Sequence, residues 1–160
     1  MKIGVSACLL GKNVKYNGKN NFSPELVEKL KDAEIIDICP EVLGGLSVPR
    51  DPAEIVDGEV VTNKGVSVDY EFRNGAKKAL DIIKKEKVDL VVLQSRSPSC
   101  GKGKIYDGTF SSKLIDGDGI FVRLLEENSI KVLDVVDFID SFRYLLLMLK
   151  KYPLFGRINN

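Results

Sequence analysis

Four short apolar runs, separated by stretches of helical spacing, restrict the fold of this chain more than any other feature. Lys2 to Ser6, Glu34 to Ile38, Asp89 to Leu93 and Ile130 to Val135 read as strands. They lack the in-out alternation of a half-solvated sheet, which fits burial on both faces. Between them lie helices predicted from Ser23 to about Asp32, from about Asp69 to Lys87 and from about Gly119 to Asn128, with a last one from Asp137 to about Lys150. Ser23-Pro24-Glu25 is a helix start, with a capping hydroxyl, proline in the first turn and an acid after it. Strand–helix alternation predicts a three-layer, Rossmann-like α/β fold: a mainly parallel four-stranded sheet in the order 2-1-3-4, with helices on both faces. Ile55-Val56-Asp57-Gly58-Glu59-Val60-Val61 reads as a small β-hairpin insertion, because Asp-Gly suits a type I′ turn. Gly75 stands inside the long helix that precedes the third strand as a weak point, costing about 1 kcal/mol relative to alanine. The segments 42–52 and 101–118 are expected to be loop.

No repeat or linker divides the 160 residues, so one domain spanning 1–160 is expected. A net charge of +1 gives no nucleic-acid footprint. The most apolar stretch, Tyr144 to Leu149, is far below the roughly 20 residues of a membrane span. A cytoplasmic protein is therefore expected. Phe138, Phe142, Leu145, Leu146 and Leu149 share one face of the last helix, and Leu147 and Met148 widen it. Core packing is the expected use of that face, and a homodimer contact is the alternative. The lysines of the long helix alternate with acids and read as a solvated surface.

The chain has three cysteines and no histidine. That removes Ser/His and Cys/His nucleophile pairs and every zinc site that uses imidazole. Cys8, Cys39 and Cys100 each follow a predicted strand on a loop of Gly, Pro or Ser, so a parallel sheet would bring all three to its carboxyl edge. Three unrelated buried thiols are the plain alternative. Three convergent thiolates can bind zinc, with an Asp or Glu closing the shell, or an iron–sulfur cluster. A cubane cluster normally takes four cysteines, so three leave one iron open to an outside molecule. The glycines at 101, 103 and 108 do not open a helix with nucleotide-binding spacing.

The blocks Val5-Ser6-Ala7-Cys8-Leu9-Leu10-Gly11, Cys39-Pro40-Glu41-Val42-Leu43-Gly44-Gly45-Leu46, Pro49-Arg50, Ser97-Pro98-Ser99-Cys100-Gly101 and Tyr106-Asp107-Gly108-Thr109-Phe110 resemble the bacterial domain-of-unknown-function family 523. The resemblance runs from residue 3 to about 135 and leaves the C-terminal helix and tail, 136–160, outside it. That family includes the 2-thiouracil desulfurases. The resemblance implies a non-redox desulfidase that releases sulfide from a small thiolated heterocycle. It implies a [4Fe-4S] cluster on Cys8, Cys39 and Cys100, with the substrate sulfur on the open iron. It also marks Glu41 and Ser97 as candidate catalytic positions, where a carboxylate can shuttle a proton and a hydroxyl can orient the substrate or the water. Ser97 has a plainer use as the hydroxyl of a turn at Pro98. Arg50 either fixes a substrate group or pairs with Asp51 or Glu54, and Glu41 can itself be a partner of Arg50. Ser99, Tyr16 and Tyr106 complete the candidate substrate contacts, the tyrosines as stacking faces. A non-catalytic zinc, iron–sulfur or sulfur-carrier protein is the alternative function.

Overall fold

The computed structural model describes the backbone of residues 1–151 and the side chains of residues 1–144. Strands β1 (Lys2–Ser6), β2 (Glu34–Ile38), β5 (Leu90–Leu93) and β8 (Val132–Asp134) form one sheet in the order β2-β1-β5-β8, with every pairing parallel. This is the expected 2-1-3-4 arrangement. Register aligns Ser6 with Ile38 and Leu93 with Asp134, so all four strands end along one edge.

Both faces are buried, for the reason visible in β5. Val91 and Leu93 point into one apolar cluster, with Phe72, Ala76, Ile83, Phe121 and Leu125 of α3 (Asp69–Lys85) and α4 (Ile120–Glu127). Leu90 and Val92 point into the other, with Leu26 and Leu30 of α1 (Pro24–Lys29) and its C-cap, and Val135 and Phe138 of α5 (Val135–Lys151). Alternation along a strand thus serves two cores rather than a core and solvent. Ser23 caps α1 as expected, its Oγ accepting the Leu26 amide at 3.3 Å. Early in α5, Phe138 and Phe142 pack on the second cluster with ring centroids 5.0 Å apart. The dimer alternative rests on Leu145 to Leu149, whose side chains lie outside the described ones. No described helix is long and apolar enough to cross a membrane.

The hairpin is β3 (Ala53–Val56) with β4 (Glu59–Thr62), and Asp57 and Gly58 both take positive φ, 50° and 85°, as a type I′ turn requires. Regular structure reaches into both segments expected to be loop. Residues 40–43 form α2 (Pro40–Leu43), a single helical turn. Within 101–118, β6 (Lys104–Tyr106) pairs antiparallel with β7 (Leu114–Asp116). Gly75 is also corrected: it is a contact point, not a weakness. A Cβ there would stand 2.8 Å from the Gly44 nitrogen and closer still to the Pro40 carbonyl oxygen, so α2 lies backbone-to-backbone on α3.

Candidate functional site

The chain leaves each of three neighbouring strands with a cysteine. Cys8 lies in a 3-10 turn after β1, where Gly11 closes the turn with φ 92°. Cys39 is the residue before α2, and Pro40 starts that turn. Cys100 ends the loop after β5. Ser97 Oγ accepts the amides of Ser99 and Cys100 at 3.0 and 3.1 Å, and Gly101 N donates to the Ser97 carbonyl at 2.8 Å. The turn reading of Ser97 therefore holds. All three cysteines line one cavity of about 1060 Å³, together with Glu41, Arg50, Ser97, Tyr16 and Tyr106. No disulfide joins them.

Their thiols influence one another. Burial pushes Cys8 up to about 11, and Cys39 and Glu41 push the same way. Burial also raises Cys39, against the helix-start amides of Val42 and Glu41 and the Arg50 charge. Cys100 is raised well above the thiol range, first by burial; Ser6, hydrogen bonding its sulfur, opposes, while Glu41, Cys39 and Cys8 add to the rise. Three sulfurs and a carboxylate in mutual electrostatic reach are a poor place for bare thiolates and a good one for a group that brings positive charge. Among the described residues, no set of three or more Cys, Asp and Glu side chains converges on a single metal ion. Three sulfurs on separate loops around a roomy cavity suit a larger, multi-iron group.

Glu41 and Arg50 form the second half of the site. Arg50 Nε donates to Glu41 Oε2 at 3.0 Å, and Nη2 closes the ion pair. Nη1 and Nη2 also donate to the carbonyls of Ser47 and Val14, at 3.1 and 3.0 Å. Both side chains are largely buried, 9% and 16% exposed for Arg50 and Glu41. Asp51 pairs with Lys64 instead, and Glu54 takes backbone amides. The other carboxylate oxygen, Glu41 Oε1, accepts from Ser97 Oγ at 3.4 Å. Both amides in the turn donate to that hydroxyl, which leaves its proton for Glu41.

Ser99 is set apart. It is fully buried, does not line the cavity, and its hydroxyl has no partner among the described residues. Its carbonyl accepts the Phe121 amide at 3.0 Å, so it ties the loop to α4. Ser6 is a residue that motif reasoning passed over. Its Oγ accepts the Gln94 amide at 3.0 Å, joining the ends of β1 and β5. Its position in the block that carries Cys8 was the available signal.

The family model for 2-thiouracil desulfurase matches residues 3–136. The chain belongs to the 2-thiouracil desulfurase family. Within that family's span lie all three cysteines, Glu41 and Ser97, and the match ends at the start of α5. The chain is 38% identical over 139 residues to the uncharacterized protein YbbK of Bacillus subtilis (strain 168), covering 81% of this chain and 92% of YbbK. Among solved structures it is similar to the [4Fe-4S]-dependent thiouracil desulfidase TudS. The TM-score is 0.81 at 38% identity, over 93% of this chain and 97% of TudS. The desulfurase family and its solved neighbour are both enzymes named for removal of sulfur from thiouracil.

Proposed function

We propose that this protein removes sulfur, as sulfide, from a small thiolated heterocycle of the thiouracil kind, without net redox chemistry. Cys8, Cys39 and Cys100 would hold a [4Fe-4S] cluster. The observation that carries the reading is the meeting of three free cysteines with the Arg50–Glu41–Ser97 array in one cavity. With three protein ligands such a cluster supplies an open iron, a Lewis-acid seat for a thiocarbonyl sulfur.

The protein's own part is positioning and proton transfer. The overall change converts C=S and water into C=O and hydrogen sulfide; water supplies the oxygen, and its two protons leave with the sulfur. Glu41 is the group that takes a proton from water and returns it. Arg50 holds Oε2, so Oε1 is the oxygen left to work, and Ser97 orients it or the attacking water. Tyr16 and Tyr106 offer flat walls to a planar ring. Free thiols and such a cluster fit a reducing compartment such as the cytoplasm.

The test is anaerobic purification with iron and acid-labile sulfide measured per chain, then sulfide release from 2-thiouracil. About four of each are expected. Glu41→Gln should keep the cluster absorption and lose about 100-fold or more in turnover. One metal per chain, or a Glu41→Gln variant as active as wild type, would defeat the proposal.

A further inference from the structure

The loop between β6 and β7 is pinned by a buried carboxylate. Glu54, on β3, is 8% exposed and forms no ion pair among the described residues. A buried carboxylate is tolerated only where it is hydrogen-bonded or paired. Here Oε2 accepts the amides of Gly108 at 2.9 Å and Phe110 at 3.0 Å. Gly108 lies flat on the same strand: a Cβ there would stand 2.7 Å from the Ile55 carbonyl. From within the loop, Asp107 Oδ1 accepts the Thr109 amide at 3.0 Å, and Asp107 N donates to Lys113 O at 3.0 Å.

The result falls on Phe110. Its φ is 55°, a conformation bulky L-residues rarely adopt. The residue stays 37% exposed, yet it lines the cavity of Cys39, Glu41 and Ser97. A ring placed for core packing would be buried and its backbone relaxed. Strained backbone that its surroundings enforce is characteristic of ligand clamps.

We infer that Phe110 is the face on which the substrate's planar ring lies, and that Glu54 is the positioning residue that presents it. This rests on the desulfidase reading above. A heterocycle stacks on an aromatic face in offset geometry whether or not it carries sulfur. The contact therefore acts on substrate and on desulfurated product alike.

The experiment compares wild type with Phe110→Ala, Glu54→Ala, Glu54→Gln and the Glu54→Ala/Phe110→Ala double variant, all loaded anaerobically. It measures KM and kcat for 2-thiouracil and the inhibition constant of uracil. Phe110→Ala should raise both KM and the uracil constant about tenfold, equivalent to about 1.4 kcal/mol at 25 °C, and leave kcat within about twofold. Glu54→Ala should do the same, with the double variant no worse than Phe110→Ala alone. Glu54→Gln keeps a carbonyl oxygen for the two amides and should stay near wild type. If Glu54→Ala does not fold, by circular dichroism, Glu54→Gln and Phe110→Ala decide. An unchanged KM in Phe110→Ala overturns the inference, as does a Glu54→Gln variant with Phe110→Ala's defect plus a lowered kcat. Failure of wild type itself to release sulfide from 2-thiouracil would instead sink the desulfidase reading, and this inference with it.

Discussion

Replacing Gly75 with alanine sets helix propensity against the packing that carries Cys39 and Glu41. Propensity alone predicts a gain of about 1 kcal/mol, since glycine inside a helix costs about that much. The structure predicts the opposite. A Cβ at Gly75 would lie 2.8 Å from Gly44 N, where ordinary contact begins at 3.4 Å, and nearer still to Pro40 O. The atoms it meets are backbone, so no rotamer change relieves the clash. α2 must retreat by more than the 0.6 Å between those distances. Pro40 O is also the acceptor of Gly44 N at 2.8 Å, the bond that closes the single turn of α2. Overpacking of this kind costs about 1–3 kcal/mol. Against the propensity gain, a net loss of up to about 2 kcal/mol remains, a fall of up to roughly 8 °C in Tm for a chain of this size. The larger effect is on chemistry. Cys39 precedes α2 and Glu41 is its second residue, so both move with it. Misplacement on the order of 1 Å can cost about 100-fold in rate. Thermal unfolding by circular dichroism and sulfide release per iron would be measured on the same preparation. A Gly75→Ala protein that melts at or above wild type and turns over within twofold of it would refute the argument.

Two further outcomes follow from the site. Arg50→Lys keeps a charge for Glu41 but cannot reach the Ser47 and Val14 carbonyls together, so stability should fall by about 1–3 kcal/mol and turnover about tenfold; a melt and a rate equal to wild type would contradict this. In protein freed of metal, Cys8 keeps its proton to about pH 11 when folded but releases it near 9.0 when unfolded. Its contribution, on the order of 3 kcal/mol, is thus complete below pH 9 and lost as the pH rises towards 11. Melting temperature should drop across that interval, and less so in Cys8→Ala; parallel profiles for the two would count against it.

What the sequence disclosed follows from how far each signal reaches along the chain. Strands of four or five residues with helices between them admit few arrangements, because parallel crossovers are right-handed and neighbours in sequence tend to pair. The parallel sheet was therefore legible, and with it the shared edge at which Cys8, Cys39 and Cys100 meet; the order 2-1-3-4 was a guess from switch-point logic, since the second and third strands of the sheet are not neighbours. The Asp57-Gly58 turn was legible because its chemistry is contained in two residues. α2 was not: four residues show no period, and what stabilises that turn is the close approach of Gly44 and Gly75, thirty-one positions apart. The three-residue strands β6 and β7 failed for the same reason, buried among glycines that read as loop.

At the site, proximity in sequence offered Arg50 two partners that the fold does not use, beside Glu41, which it does. Asp51 and Glu54 lie one and four residues from Arg50, yet its carboxylate is Glu41, and the β-hairpin turns Glu54 towards Gly108 and Phe110. Ser97 and Ser99 are the same residue type two positions apart. The turn at Pro98 sends one hydroxyl to Glu41 and buries the other against the loop's rear, beside α4. Residue type can nominate a carboxylate or a hydroxyl, because chemistry restricts which groups move protons. Which of two equivalent groups works is settled by bonds made across the fold. A buried guanidinium makes that choice strictly: among the described residues Arg50 has one carboxylate partner and donates its other hydrogen bonds to two carbonyls, so whichever acid it holds becomes fixed and directional. Glu41 is that acid, and its fixed orientation is what suits it to the proton transfer proposed for it.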